Sequence, residues 1–393
     1  MPARTLGGIG RSSQSPLWYF DFRTCDTAID PRIALSRASA STRTDSTGAL
    51  VPVASGSPVL FFDPVSLANK GLRVLEQRTN KCTNYNAAPD AGLSNVIKTG
   101  DAAATLTREL DTTALAAAKL SSIVTSGYVF KLDNSLGTTP AFATINGTVG
   151  NTNKHSASCY IRGGTGYIGQ PNGVGGANFS ASSAYVRRQV DDWTPAFTTT
   201  ALLLRADAGQ TLWFVLNQLE EGTFSTATII VAGAQATRIA DLPVLSGLSL
   251  TEGTLVVTGE IIGGTSATFP HLAALTSSNP NSDAIGLLWT ANNGALRGGV
   301  TAGGVSSVDV PGTANLVAGS SFKCALAFSN NYAQAAFGAG VISSVDTSVT
   351  VPATDRLTMG GPVRFQPTAS MYLQTLALYA RVLGPRELLE LTP

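Results

Sequence analysis

The sequence predicts an all-β chain of tandem antiparallel β-sandwiches that follow an irregular N-terminal segment. Two observations carry this prediction: period-two alternation of apolar and polar residues recurs along the chain, and clusters of Gly, Asn, Pro and Ser separate the alternating runs. A third observation disfavours a doubly wound α/β fold, because the sequence shows no regular alternation of strands and helices.

The alternation is clearest in three runs. In residues 321–328, large apolar side chains occupy every second position. Residues 154–161 show the same pattern, and in residues 254–261 the side chains of Thr258 and Glu260 face away from the apolar positions. Successive side chains of a strand point to opposite faces, so each run predicts a strand with one buried and one solvated face.

Two short helices are predicted outside the strands. Residues 111–120 combine alanines and leucines with an Asp or Thr suited to cap the first turn. Residues 384–391 place Pro385 at the first helical position, where its missing N–H has no cost, and supply leucines for packing. Both helices are expected to be accessory to the sheets.

The length of 393 residues corresponds to two or three domains. Residues 1–85 are irregular and rich in Arg, Ser and Thr, with short strand-like pieces. Residues 86–243 carry the first set of strands, and residues 244–393 carry the second.

Charge and composition exclude several classes of function. The net charge is +1 and only 13% of residues are charged, so no strong field attracts nucleic acid or an anionic membrane surface. The start of the chain has no apolar signal region, and no apolar run is long enough for a transmembrane helix. The four cysteines form no CxxC pair and are expected to be reduced, with a Cys25–Cys82 disulfide as the alternative.

Four strings resemble segments of tailed-bacteriophage virion proteins. Residues 30–39 (DPRIALSRAS) and 71–80 (GLRVLEQRTN) resemble the N-terminal part of such proteins. Residues 213–224 (WFVLNQLEEGTF) and 236–241 (ATRIAD) are similar to the final strand, turn and closing run of their jelly-roll domains, which are similar to carbohydrate-binding modules. Residues 372–391 are similar to the last strand and capping helix of concanavalin A-like (laminin-G-like) domains, whereas 262–316 matches nothing in these families.

The resemblance implies a virion-surface protein of tail-fibre or tail-tip type that contacts host-surface glycan. It implies that residues 1–85 serve virion attachment and oligomerisation, that residues 86–243 form a jelly roll, and that residues 244–393 form a concanavalin A-like domain. It also implies localisation in the virion, other virion proteins as partners of the N-terminal segment, and a homotrimer. Two alternatives remain open: a capsid decoration or head-fibre protein, and a glycan-cleaving depolymerase.

A candidate glycan site lies in the third segment. Sugar rings stack on aromatic side chains, while carboxylates and amides bind their hydroxyls. The site is predicted from one aromatic-rich and Asn-rich stretch and a later tyrosine, comprising Asp283, Trp289, Asn292, Asn293 and Tyr332. The alternative reading buries Trp289 in the core and makes residues 292–294 a hairpin turn.

No catalytic residue, cofactor or metal site is predicted, and the protein is expected not to be an enzyme. The chain has two histidines, His155 and His271, and neither lies near a nucleophile motif. The adjacent pairs Asp191–Asp192 and Glu220–Glu221 are poor candidates for glycoside hydrolysis, because neighbouring strand residues point to opposite faces. The N-terminal arginines are expected to bridge carboxylates and carbonyls and so fix an extended segment on a partner.

Overall fold

A computed structural model describes residues 15–83, 93, 96–147, 149–170, 175–231, 234–264, 269–290, 293–311, 316–361, 363 and 369–393, with the backbone alone for 306–311. The described chain is mostly β-strand. Numbered in chain order, the first strands are β1 (Trp18–Asp21), β2 (Ile33–Ser36), β3 (Ser41–Thr44), β4 (Leu50–Val53), β5 (Leu60–Phe62), β6 (Asn69–Val74) and β7 (Arg78–Asn80), with a 3-10 turn at Phe22–Thr24.

The middle of the chain contributes a second group of strands and one helix. They are β8 (Val96–Gly100), β9 (Thr105–Leu110), α1 (Thr112–Ala117), β10 (Tyr128–Asp133), β11 (Ala141–Ile145), β12 (His155–Gly163), β13 (Gly166–Gly169), β14 (Ala177–Phe179), β15 (Ser182–Trp193), β16 (Leu202–Ala206), β17 (Thr211–Glu221) and β18 (Ala236–Arg238).

The C-terminal part supplies the last strands and the second helix. They are β19 (Leu242–Ser246), β20 (Gly253–Gly263), β21 (His271–Thr276), β22 (Ala284–Trp289), β23 (Leu296–Ala302), β24 (Val305–Pro311), β25 (Ser321–Ser329), β26 (Tyr332–Phe337), β27 (Val341–Ile342), β28 (Arg356–Met359), β29 (Ser370–Tyr379) and α2 (Pro385–Leu391).

The chain divides into two compact units. Unit 1 takes its described residues from Met1–Ala38, Ser55–Gln77 and Ile239–Pro393. Unit 2 takes them from Ser39–Ala54 and Arg78–Arg238.

Unit 1 is a sandwich of two antiparallel sheets. Sheet I has the strand order β27-β26-β25-β20-β29-β6-β5, and β1 also pairs with β29. Sheet II has the order β2-β19-β28-β21-β22-β23-β24. Leu255 and Phe322 of sheet I belong to the same buried cluster as Leu275 and Leu287 of sheet II, so the two sheets pack face to face.

Unit 2 is a second antiparallel sandwich. Sheet III has the order β15-β12-β17-β10-β9, and sheet IV has the order β14-β13-β16-β11-β8. The chain crosses repeatedly between these sheets, as in a jelly roll. Phe130 and Phe214 of sheet III stack with ring centroids 5.2 Å apart, and they share a core with Ile145 and Leu204 of sheet IV. The predicted fold class, all-β with tandem antiparallel sandwiches, is confirmed.

Both predicted helices are present, but α1 is not capped as expected. Asp111 occupies the capping position, but its side chain makes no capping hydrogen bond to the helix. Its carboxylate instead accepts hydrogen bonds of 2.7 Å from Arg162 and from the Tyr185 hydroxyl, on the outer face of sheet III. A charge-assisted hydrogen bond between a carboxylate and a guanidinium is stronger than a capping bond to a backbone N–H, which explains why the Asp111 carboxylate binds Arg162 rather than the helix.

The described part of residues 1–85 does not form one separate segment. Strands β1, β2, β5 and β6 belong to the sheets of unit 1, whereas β3, β4 and β7 belong to unit 2. Burial of apolar side chains holds these strands in the units: Leu72 and Val74 of β6, for example, are fully enclosed in the unit 1 core. The predicted boundary at residue 243 lies close to the division that the structure places after Arg238.

The N-terminal arginines bind within their own units. Arg23 pairs with Asp21, and Arg32 pairs with Asp30 while lying 4.1 Å from the Trp18 ring centroid. These contacts are the carboxylate bridges predicted from sequence, but the segment that they fix belongs to the body of unit 1.

Three further observations concern membrane-spanning helices, metal-binding clusters and the cysteines. Within the described residues, neither helix is long and apolar enough to cross a membrane. The same part of the chain contains no group of three or more His, Cys, Asp or Glu residues suited to a metal ion. All four cysteines are free thiols, as predicted, with Cys25 half-buried and the others buried.

Candidate functional site

Four neighbouring strands of sheet I align polar side chains in one row on the outer face of unit 1. Lys323 of β25 lies opposite Thr258 of β20, Thr258 lies opposite Thr375 of β29, and Thr375 lies opposite Asp21 of β1. Paired strands are about 4.8 Å apart, so this row extends about 14 Å across the sheet.

A β-bulge brings an additional polar group to the row. The pairing of β20 with β29 shifts between Thr258 and Gly259, and Gln374 is the extra residue. Consequently the consecutive side chains of Gln374 and Thr375 are both half-exposed, where a regular strand would bury one of them. The hydroxyls of Thr258 and Thr375 are 2.7 Å apart, and one donates to the other. This pair retains one O–H donor and several lone pairs for a ligand.

A cavity of about 650 Å³ lies over this row. Thr258, Thr375, Gln374 and Lys323 contribute its polar lining, and Leu316 contributes apolar lining. Leu296 and Phe322 also reach it but belong to the buried core of unit 1. Its volume is within the range of about 300–1,000 Å³ that is typical of small-molecule sites.

Tyr19 and Arg23 line the β1 side of the cavity. The Tyr19 side chain is 54% exposed although it belongs to a paired strand. Arg23 donates from Nε and Nη2 to the Asp21 carboxylate at 3.0 and 2.8 Å. Burial opposes ionisation of Asp21, but the hydrogen bonds from Arg23 outweigh it and lower the pKa of this carboxyl. The ion pair thus fixes Arg23 beside the aromatic ring.

Helix α2 lies on the same face of unit 1 as the polar row. It packs on an apolar patch of the outer face that contains Val256, Ala325 and Ala377, next to the polar row. The chain after the helix reaches the cavity, where Pro393 contributes to the lining. Glu387 secures the start of the helix: it accepts hydrogen bonds from Arg381 at 2.6 Å and from the Gly384 N–H at 2.9 Å.

We expect Glu387→Gln to remove an acid-sensitive contribution to the stability of unit 1. The hydrogen bonds from Arg381 and the Gly384 N–H lower the pKa of Glu387 from 4.5 to about 2. Its stabilising effect is therefore complete above pH 4.5 and disappears as the pH falls to about 2. Because the pair is largely exposed, the expected loss at pH 7 is about 0.5–1 kcal/mol.

Urea unfolding at neutral pH and near pH 2 measures this effect. Glu390→Gln, which disrupts the more exposed pair with Arg386, provides the control and should change stability less. An equal loss for Glu387→Gln at both pH values would contradict the assignment.

The structure places the sequence-predicted aromatic residue in the core. Trp289 is 4% exposed, belongs to the buried cluster of unit 1 and lies at the end of β22 in sheet II. Its ring fills the space beside Gly264, where an added Cβ would lie 2.6 Å from the ring. In this structure the ring presents no free face for stacking, in agreement with the alternative reading of this residue.

The other predicted site residues are not brought together. Asp283 accepts hydrogen bonds from the Gly303 N–H and the Ser277 hydroxyl, and Asn293 accepts one from the Ala295 N–H in the turn after β22. Tyr332 lies on the outer face of sheet I and donates to Gln334 at 2.9 Å. Asn292 lies outside the described residues. Glycan binding by this set remains a prediction.

The acidic pairs considered for hydrolysis hold turns of unit 2. Buried Glu220 accepts from Gln218 at 2.7 Å and from the Thr226 N–H at 2.9 Å, while Glu221 accepts from two asparagines. Asp191 accepts from the Ser225 N–H and hydroxyl, both at 2.7 Å. Buried His155 bonds to the Asn153 carbonyl at 2.7 Å, and burial lowers its pKa.

Sequence reasoning missed the cavity residues. The alternation did place Thr258 on the solvated face of its strand, but nothing local indicates that Lys323, Thr375 and Tyr19 lie beside it. The signal that could have found them is the register between strands distant in sequence.

No protein-family model matches the chain, and no curated protein matches its sequence. Among solved structures, the chain is similar to the CBM40 of the Ruminococcus gnavus IT-sialidase bound to α2,3 sialyllactose. The identity is 19% and the TM-score 0.31, and the match covers 37% of this chain and 84% of that chain.

Two other solved structures show a similar partial likeness. For the native heptameric SAP-like pentraxin from Limulus polyphemus, the identity is 12%, the coverage 38% of this chain and 72% of that chain, and the TM-score 0.31. For the full-length tailspike protein 2 of Escherichia coli O157:H7 bacteriophage CAB120, the identity is 16% and the TM-score 0.27. The match covers 35% of this chain and 21% of that chain. These are distant likenesses of parts of the chain.

Proposed function

We propose that this protein is a structural and adhesive component of a bacteriophage virion, of tail-fibre or tail-tip type, and that unit 1 binds host-surface glycan in the cavity over sheet I. The cavity is the observation that carries the adhesive part. It combines an exposed aromatic ring, a hydroxyl pair, an amide and a cation on one face. Apolar faces of sugars stack on such rings, and sugar hydroxyls bond to such polar groups.

The virion assignment is supported by the sequence strings at residues 30–39, 71–80, 213–224 and 236–241, which resemble segments of phage virion proteins. The low charge of the chain suits a surface that must avoid indiscriminate binding. Because β1, β2, β5 and β6 are built into unit 1, attachment to other virion proteins is proposed through a folded surface. The proposed assembly is a homotrimer.

The protein is proposed to bind glycan without cleaving it. Glycoside hydrolysis requires two carboxyl groups on either side of the scissile bond. Among the described residues that line the cavity, none is Asp or Glu. The acidic pairs of unit 2 are engaged in turns, which supports binding over turnover.

A glycan array with the full chain tests the adhesive part. We expect Tyr19→Ala to weaken saccharide binding about two- to tenfold, since stacking on one aromatic ring contributes about 0.5–1.5 kcal/mol. Phe197→Ala is the matched control, because this ring is 62% exposed but lies in unit 2, and it should leave binding unchanged. Equal losses for both variants, or no binding by the unaltered protein, would refute the cavity as the site.

The virion part has its own measurement. Mass spectrometry of purified particles should detect the protein, and immunogold labelling should place it on the tail. Labelling of the head would favour the capsid decoration alternative, and absence from particles would refute the virion assignment. Light scattering of the purified protein should give the mass of a trimer.

A further inference from the structure

We propose that the cavity over sheet I selects saccharides that carry a carboxylate, and that Lys323 is the residue that recognises it. This inference rests on the proposed glycan binding and names the class of sugar. It rests on three groups found together in one cavity: a lysine with no acidic partner among the residues that the structure describes, a hydroxyl pair and an exposed aromatic ring.

The charged side chains that line the cavity are positive. Arg23 and Lys323 line it, and no Asp or Glu is among the described lining residues. The neighbouring Asp21 offsets the charge of Arg23 through their ion pair at 2.8 Å. Among the side chains that line the cavity, the positive charge of Lys323 is therefore the one left for a ligand, and a carboxylate on the sugar would match it.

Lys323 differs in this respect from the other lysine on the same face. Lys70 forms an ion pair with Glu260 at 2.8 Å. Glu260 is the acid closest to Lys323 in the register, because it pairs with Ser321, two residues away on the same strand. With this carboxylate bound to Lys70, no described acidic group lies within ion-pair distance of Lys323.

The position of Lys323 also favours a ligand role. Its side chain is half-buried, so its charge is less screened than that of a fully exposed lysine. It lies directly across from Thr258, whose hydroxyl bonds to that of Thr375. A carboxylate bound to the ammonium group would therefore place the sugar ring over these hydroxyls and toward Tyr19, at the opposite side of the row.

Calorimetric titration with matched saccharides tests the inference. Uronate oligosaccharides and the neutral parent sugars, which differ only in the carboxylate, are the probes. We expect the unaltered protein to bind the uronate at least tenfold more tightly, and salt raised from about 0.05 to about 0.5 M should reduce this preference. Lys323→Gln should abolish the preference while affinity for the neutral parent stays the same, and Lys323→Arg should retain it.

Lys154→Gln is the matched charge control, because it removes the same charge from an exposed site of unit 2 and should preserve the preference. Equal binding of uronate and neutral parent would overturn the inference and leave the proposed glycan binding intact. A preference that survives in Lys323→Gln would overturn the role of this residue. Binding of neither sugar class, on the array or in titration, would refute both proposals.

Discussion

Replacement of Asp241 by alanine should lower the free energy of unfolding of unit 1 by about 3–5 kcal/mol. Asp241 and Arg37 form an ion pair at 2.9 Å with side chains that are 1% and 0% exposed. The second carboxylate oxygen of Asp241 accepts a hydrogen bond from the Leu75 N–H at 2.9 Å. The substitution removes the carboxylate from a buried guanidinium and a buried N–H, and both desolvation costs then appear in the folded state.

Calorimetry of the full chain measures the loss on the transition of unit 1. Asp355→Ala is the control, because its ion pair with Arg356 is partly exposed and should contribute less than about 1 kcal/mol. A second variant separates charge from packing: Arg37→Met with Asp241→Leu replaces the pair by apolar groups and should recover part of the stability. If Asp241→Ala cost no more than Asp355→Ala, the pair would not be a determinant of the fold.

The hydrogen bonds of Asp241 connect three of the strings on which the resemblance depends. Arg37 belongs to residues 30–39, Leu75 to residues 71–80, and Asp241 to residues 236–241. Three short runs that are far apart in sequence thus meet at one buried site of unit 1. Arg37 and Asp241 thus bond within the molecule, which sequence alone could not distinguish from bonding to a partner.

The strands were predictable because their determinant is local. Alternation identified the buried face of residues 254–261 and 321–328, and Leu255, Val257 and Phe322 indeed lie in the unit 1 core. The candidate site was not predictable in the same way. Tyr19 and Lys323 share a cavity only because β1, β29, β20 and β25 are neighbours, and pairing over such distances leaves no local pattern.

The predicted glycan site shows the converse problem. Asn and Asp residues near Trp289 have the chemistry of sugar binding, but the same residues form tight turns between strands. In the structure, Asp283 and Asn293 bond to backbone N–H groups, and Trp289 fills the core. The sequence thus shows which residues have side chains suited to sugar binding. Whether they can bind a sugar depends on which face of the sheet each residue occupies.

Gly222→Ala should destabilise unit 2 by about 3–5 kcal/mol. Gly222 follows β17 with a φ of 136°, a region that L-residues avoid. An added Cβ would lie 1.3 Å from Nη1 of Arg78, so the guanidinium would have to move. That group is buried and lies 4.8 Å from the Phe224 ring centroid, and its displacement would break this contact.

Gly209→Ala is the matched control, because Gly209 also has a positive φ, of 74°, but nothing lies within 4 Å of an added Cβ. It should cost about 1 kcal/mol, the backbone contribution alone. The excess for Gly222 then measures the space reserved for Arg78. A double-mutant cycle isolates it: in the background of Arg78→Ala, Gly222→Ala should cost less, since the obstructing group is gone. An unchanged cost in that background would assign the whole effect to backbone strain and refute the packing of Arg78 as the reason for this glycine.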